Sequence, residues 1–268
     1  MSVNAAPARS GSGGMQVVIR ETAAEAGKEA ARATAAAITA AVSARGFARV
    51  LFASAPSQLP MLEALKALDV PWSRVTALHV DEYVGIAPSA PQGFGRWLRD
   101  HLFDEVQPAA VELMRPDVDP DAECARYAAL VTPGSVDVGC LGIGVNGHVA
   151  FNEPHQCSID DPELVRRVRL DAVSRQQQVD DGCFSSLADV PTTAITLTMP
   201  ALLAARRLVV TVPGSQKADA VARCVSGDVT PAVPASALRA HPSVTLFLDR
   251  DAAAQIPPDA GDTETPPR

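Results

Sequence analysis

The chain predicts a doubly wound α/β fold: a single, mainly parallel sheet with helices on both faces. Three observations predict it. Short β-branched runs recur along the sequence, helical stretches separate them, and polar or Gly-rich turns follow three of the runs. Strands that alternate with helices imply βαβ crossovers and therefore parallel pairing. Ligands in such sheets sit beyond the carboxyl ends of the strands, near a reversal of strand order.

Residues 1–14, rich in Ala, Ser and Gly, offer nothing to bury and are expected to be disordered; they lack the apolar stretch of a secretory signal. Gln16–Arg20 (QVVIR) reads as the first strand. The Ala-rich stretch from Ala23 to Arg45 reads as a helix, since Ala has the lowest propensity cost. A buried strand follows at Ala48–Ala53, then a Ser/Pro turn, a helix from Leu59 to Leu68, and a third strand at Val75–Val80. Helices are expected at Phe94–Leu102 and Ala122–Val131, with a strand at Val136–Ile143 running into a Gly-rich turn. The last strands are Leu208–Val212 and Val244–Leu248, with a helix from Lys217 to Cys224 between them. No repeat or linker divides the chain, so residues 15–254 are expected to form one Rossmann-like α/β catalytic domain. The Pro- and acid-rich tail, 255–268, is expected to be disordered.

The 268 residues are 47% hydrophobic and 20% charged, an ordinary globular balance. A formal charge of -8 argues against nucleic acid as partner, because phosphate-backbone binding needs a basic face. It leaves room for a small anionic substrate in a local positive pocket. No apolar run approaches the ~20 residues that span a bilayer. Five cysteines without a Cys-x-x-Cys pair fit reduced thiols and a cytoplasmic location. His155 and Cys157 lack a third ligand at useful spacing, so no metal and no other cofactor is expected.

Three stretches carry chemistry. The first is Leu141–Pro154, LGIGVNGHVAFNEP. Its glycines, Gly142, Gly144 and Gly147, allow a tight turn and close approach to a ligand. The Gly-x-Gly-x-x-Gly spacing alone is a weak dinucleotide signal, and here it leads to His148 and Glu153 instead of a helix. An imidazole five residues from a carboxylate is a plausible acid/base pair, in which the carboxylate would fix the tautomer and raise the imidazole pKa. The second stretch, HVDEYVG at residues 79–85, places Asp81 and Glu82 at the end of an apolar strand. Either they are a solvated strand end, or one is a base tuned by partial burial. The third is Pro213–Lys217 (PGSQK), where a Lys near a helix start suits a phosphate but also fits an ordinary capping loop.

Taken together, the three stretches resemble the glucosamine-6-phosphate deaminase/isomerase family, related to the 6-phosphogluconolactonases, over roughly Val50 to Asp249. GIGVNGHVAFNEP is the most specific piece and VDEYVG the next. The lactonases are similar at the Gly-rich core but follow the His with a different segment; Phe151 to Pro154 has the deaminase form. The resemblance implies an amino-sugar phosphate as substrate and a site free of metal. His148 would open the pyranose ring, Asp81 would move a proton between C2 and C1, and Glu153 would orient His148. Glu82 would support Asp81, and Lys217 with Ser54, Ser57 and Gly147 would hold the substrate. Its members include monomers and hexamers, so a homo-oligomer is admissible.

Three places bear on how far the resemblance holds: at the first, where the family carries Asp or Asn, the chain has Asn, and at the other two it departs from the pattern. Asn146 stands two residues before the His, where it can orient the ring but adds no charge. The phosphate loop after the second strand reads SAPSQ at 54–58, which keeps two hydroxyls, loses a Gly and gains a Pro without an N–H. Asp180 stands where a phosphate-binding Arg is expected, with Arg175 nearby; the segment Leu170-Asp-Ala, the Gln run at 176–178 and VPASA at 233–237 resemble a divergent branch that includes galactosamine-6-phosphate deaminases. The expected function is deamination and isomerisation of an amino-sugar 6-phosphate to a ketose 6-phosphate and ammonia. A lactonase-like hydrolase, a sugar-phosphate isomerase and a non-catalytic sugar-phosphate sensor are the alternatives.

Overall fold

In the computed structural model, residues 14–115, 117–258 and 263–264 are described. The chain runs through β1 (Gln16–Arg20), α1 (Ala23–Arg45), β2 (Ala48–Phe52), α2 (Leu59–Lys66), β3 (Val75–His79) and β4 (Asp81–Tyr83). Next come α3 (Phe94–Leu98), α4 (Asp104–Val106), β5 (Ala110–Glu112), α5 (Pro120–Leu130), β6 (Val138–Leu141) and β7 (Val165–Arg169). Then follow α6 (Ala172–Asp180), β8 (Thr193–Leu197), α7 (Met199–Leu203), β9 (Arg207–Val212), α8 (Ala218–Ser226), β10 (Val244–Asp249) and β11 (Thr263–Glu264).

The main sheet has the order β11-β1-β10-β9-β6-β2-β3-β5, and every neighbouring pair in it is parallel. From β2 the chain steps outward through β3 to β5. From β6 it steps the other way, through β9 to β10. The order therefore reverses between β2 and β6, and the loops leaving these two strands part to open a crevice.

Helix α1 begins where the Thr22 hydroxyl accepts the Glu25 N–H and ends at Gly46, in the left-handed conformation at φ 83°. Its buried residues, Ala26, Gly27, Ala30, Ala31, Thr34 and Ile38, follow the helical period and are mostly small. A Cβ on Gly27 would lie 2.6 Å from the Pro60 carbonyl carbon, so only glycine lets α1 meet α2 this closely. Beneath these helices, Val50, Phe52, Leu62, Leu98 and Phe103 form one core layer. On the opposite face Leu51, Leu78, Leu141, Leu208 and Leu246 pack with Tyr127, Leu202 and Val221 of α5, α7 and α8. Each such Leu or Phe contributes about 1.5–3 kcal/mol relative to an exposed one.

Two features depart from the expected architecture. The third strand stops at His79. The chain then changes sheet at Val80, whose carbonyl accepts the Leu197 N–H at 2.8 Å. A second, antiparallel sheet, β4-β8-β7, follows from that switch. Its β7 reads VRRVR, in which only Val165 and Val168 are buried; three arginines hide a strand from a search for apolar runs. The expected helix at Phe94–Leu102 is α3 continued by a π-helical stretch, Arg99–Phe103, into α4.

Of the tail expected to be disordered, 255–258 and 263–264 are described. Ile256 is an apolar residue packed against the core, and the backbone of Thr263–Glu264 pairs with β1, so the expected disorder does not hold at those positions. The remainder of both terminal segments, residues 1–13, 259–262 and 265–268, lies outside the described residues. No described helix is long and apolar enough to cross a membrane.

Candidate active site

The crevice at the β2/β6 reversal gathers residues from distant parts of the chain. Ser54, Ser57 and Gln58 come from the loop after β2, Asp81 from the start of β4, and Gly142, Gly144 and His148 from the loop after β6. Gln177 and Gln178 of α6 and Lys217, just before α8, complete its wall. A cavity of about 380 Å³ adjoins it, sharing Ser54, Ala55, Phe94 and Gln178 and adding Trp97 and Asp181.

The loop after β6 is built around the His148 ring. Gly144 donates its N–H to the His148 carbonyl at 2.9 Å. A Cβ on Gly144 would lie 2.1–2.4 Å from three ring atoms, so no side chain is possible there. Asn146 Oδ1 accepts the His148 backbone N–H at 3.0 Å and faces ring Nδ1 at 2.8 Å, while Asn146 Nδ2 donates to Glu153 Oε2 at 2.9 Å. An amide oxygen only accepts, so Nδ1 carries the ring hydrogen and Nε2 keeps its lone pair. The Ser174 hydroxyl lies 3.1 Å from the same Nδ1. Ala150, on the crevice wall, has φ 52°, a strained value for a residue with a Cβ.

This arrangement corrects one expectation. Glu153 was expected to raise the imidazole pKa, yet Asn146 stands between them and the carboxylate is 3.6 Å from Nδ1. Burial, and then the Lys217 charge, push His148 down to about 4. The ring is therefore neutral at pH 7, with a basic nitrogen available. Glu153 is itself fully buried, and burial raises its carboxyl against the hydrogen bonds from Ser174 and Asn146. Its Oε1 has no hydrogen-bond partner.

Asp81 and Glu82 point to opposite sides of β4, as successive strand residues must. Asp81 lines the crevice, 6% exposed, and makes no side-chain hydrogen bond among the described residues. Burial, helped by Glu82 and Glu153, raises its carboxyl well above the usual range. Glu82 does not enter the crevice. Its carboxylate accepts the backbone N–H groups of Tyr83 at 2.9 Å, Phe94 at 3.0 Å and Gly95 at 2.8 Å and so caps the start of α3; it acts on Asp81 only through its charge. His79 is likewise buried in the scaffold, where its Nε2 accepts the Met114 N–H at 2.7 Å.

Lys217 is 5% exposed and makes no side-chain hydrogen bond or ion pair among the described residues. Burial lowers its pKa to about 8. It is delivered by the turn after β9, where Gly214, at φ 97°, donates its N–H to both carboxylate oxygens of Asp249 at 3.0 Å. Ser54 and Ser57 share the crevice with it, and Ser54 Oγ also donates to the Phe94 carbonyl at 3.2 Å. Gly147, expected to contact substrate, does not line the crevice: at φ 88° it turns the chain against Val233. Arg175 does not replace an arginine in the site, because its guanidinium is spent on the carbonyls of Leu187 and Val190. Asp180 is exposed and accepts from Gln176. No three metal-ligating groups converge among the described residues, and His155 lies 3.7 Å from Asp171.

Sequence reasoning missed Ser174, Gln58 and Gln177. Gln58 is buried, with Nε2 on the Thr211 carbonyl at 3.1 Å, and Gln177 Oε1 accepts the Val145 N–H at 3.2 Å. The only available signal was Asp171, whose side chain accepts the Ser174 N–H at 2.7 Å and marks a helix start without indicating chemistry.

Residues 21–247 match the family described as glucosamine-6-phosphate isomerases/6-phosphogluconolactonase. The chain is 38% identical over 204 residues to a glucosamine-6-phosphate deaminase of an Exiguobacterium species, covering 76% of this chain and 78% of that one. It is 32% identical over 253 residues to one from Lactobacillus delbrueckii subsp. bulgaricus, covering 90% of this chain and 100% of the relative. Among solved structures, a monomeric glucosamine-6-phosphate deaminase superposes with TM-score 0.83 at 30% identity, over 90% of this chain and 100% of that one. A 6-phosphogluconolactonase from Shewanella baltica, 20% identical over 88% of this chain and 97% of that one, shares the fold with TM-score 0.71.

Proposed function

The chain belongs to the glucosamine-6-phosphate isomerase/6-phosphogluconolactonase family, and we propose that within it the protein is a deaminase that converts an amino-sugar 6-phosphate and water to a ketose 6-phosphate and ammonia. One observation carries this reading: Asp81, His148 and Lys217, supplied by three separate strand ends, line a single crevice. The deaminases at 30% identity or more support it further.

The reaction follows from those groups. Lys217 and the Ser54–Ser57 loop hold the phosphate, a remote anchor that fixes the sugar carbons against the acid/base groups. His148 Nε2 takes the proton of the anomeric hydroxyl and returns it to the ring oxygen, which opens the pyranose to the aldehyde. Asp81 takes the C2 proton to give an enolamine. The proton is then delivered to C1, and C2 becomes an iminium. Water adds at C2, ammonia leaves, and the ketone remains. Asp81 suits this work because its raised pKa makes the ionised form a stronger base, while the substrate ammonium favours that form. A lactonase would need no C2 base, so Asp81 favours the deaminase. The five unpaired cysteines fit a reducing, cytoplasmic setting.

The test is hydrogen exchange. With wild-type protein in D2O, deuterium should enter C1 of fructose 6-phosphate, followed by NMR, and Asp81→Asn should abolish it. Exchange that persists in the variant moves the base elsewhere.

A further inference from the structure

We propose that Gln58 is a positioning residue for the phosphate anchor: its buried carboxamide, held by the end of β9, donates to the Ser57 hydroxyl and so aims that hydroxyl's hydrogen into the crevice. The proposal rests on the crevice taking a sugar phosphate, as in the reading above.

The neighbours of the carboxamide fix its orientation. Gln58 closes a single 3-10 turn, Pro56–Gln58, in which its N–H donates to the Ala55 carbonyl at 2.8 Å. The side chain is 1% exposed and crosses the end of β6 to reach β9, where Nε2 donates to the Thr211 carbonyl at 3.1 Å. A carbonyl only accepts, so the amide nitrogen and not its oxygen must face β9. The second amide hydrogen goes to Ser57 Oγ at 3.5 Å. Reversing the amide would set two oxygens against each other at Thr211. Oε1 is left buried without a hydrogen-bond partner, a cost the fold bears while both hydrogens stay in place.

That direction decides what Ser57 can do. A hydroxyl has one hydrogen and two lone pairs. Gln58 occupies a lone pair, and the hydrogen meets no acceptor among the described residues. It is free to point into the crevice, whose wall Ser57 shares with Lys217. A phosphate monoester, close to dianionic at pH 7, offers acceptors only, and hydrogen bonds to a charged acceptor are among the strong ones. The loop lacks an N–H at Pro56 and no arginine lines the crevice. An oriented hydroxyl beside one ammonium is what the site supplies in their stead.

The loop after β6 makes room for the same group. A Cβ on Gly142 would lie 2.9 Å from Gln58 Nε2. The backbone at Gly142 lies outside the left-handed region, so its conformation alone does not demand glycine. The missing side chain leaves space for the carboxamide.

The experiment is a double-mutant cycle of Gln58→Met and Ser57→Ala. It is read by the calorimetric Kd for sorbitol 6-phosphate, which has no amino group and does not react, and by KM and kcat for glucosamine 6-phosphate. Met keeps the length of the buried chain without its donors. Each single variant should weaken sorbitol 6-phosphate on the order of tenfold and raise KM alike, with kcat little changed. On the Ser57→Ala background, Gln58→Met should add less than about twofold, because no hydroxyl is left to orient. If the Met variant does not fold, Gly142→Ala, whose Cβ displaces the carboxamide, carries the same expectation. Wild-type affinity in the folded variant, or equal losses on both backgrounds, would overturn the proposal; equal losses are what a merely structural role produces. The Kd arm needs no turnover. An inactive wild type that still shows the coupling overturns the deaminase reading alone, whereas a wild type that does not bind sorbitol 6-phosphate overturns both.

Discussion

Lys217 brings its ammonium into a wall where the described protein offers it no partner, and burial lowers its pKa to about 8. Two opposite pH effects follow. Substrate binding needs the charged form, so KM for the phosphorylated substrate should rise as pH passes upward through about 8. Stability moves the other way. An unfolded lysine stays protonated to about 10.4, so between those values the unfolded chain binds more protons and the folded state gains stability as pH rises. Lys217→Met should therefore melt higher than wild type at pH 7 while losing affinity for the sugar phosphate. A variant that melts lower, or keeps its KM, would remove Lys217 from the phosphate site. This residue was legible in the sequence because it follows a strand and a Gly-Ser turn, as His148 and Asp81 follow theirs. Ser174 was not, since a Ser inside a first helical turn carries no signature of the ring it touches.

Among the elements, α3 depends on a residue outside itself. Its first N–H groups have no intrahelical acceptor, and the Glu82 carboxylate takes those of Phe94 and Gly95. Glu82→Gln would turn an amide NH2 toward one of them and leave a buried donor unpaired, a cost of about 1–3 kcal/mol. The expected result is a melting temperature several degrees lower, with kcat near wild type well below the melt. A collapse of kcat at an unchanged melting temperature would return Glu82 to the reaction. The alternation of strand side chains already implies different jobs for Asp81 and Glu82, but not which jobs: β4 turns Asp81 to the crevice and Glu82 to the start of α3. The same limit applies to whole strands. Apolar runs betrayed β1, β2, β3, β9 and β10, whereas β7, with three arginines in five residues, and the three-residue β4 gave no such signal.

At the scale of the molecule, the reversal of strand order between β2 and β6 makes one site from stretches more than a hundred residues apart in the chain. The parallel sheet was readable from alternation alone, and with it the rule that ligands gather at strand carboxyl ends. The phosphate side was less readable, because the expected arginine is absent and its place is not filled by Arg175. Lys217 is the one cation in the walls of the crevice and its adjoining cavity among the described residues. The crevice they bound is proposed as the active site of an amino-sugar phosphate deaminase. The most direct test of this claim is to incubate the protein with glucosamine 6-phosphate and follow ammonia and fructose 6-phosphate together. The account predicts equimolar release of both; neither product at high enzyme concentration, with galactosamine 6-phosphate equally inert, would contradict it.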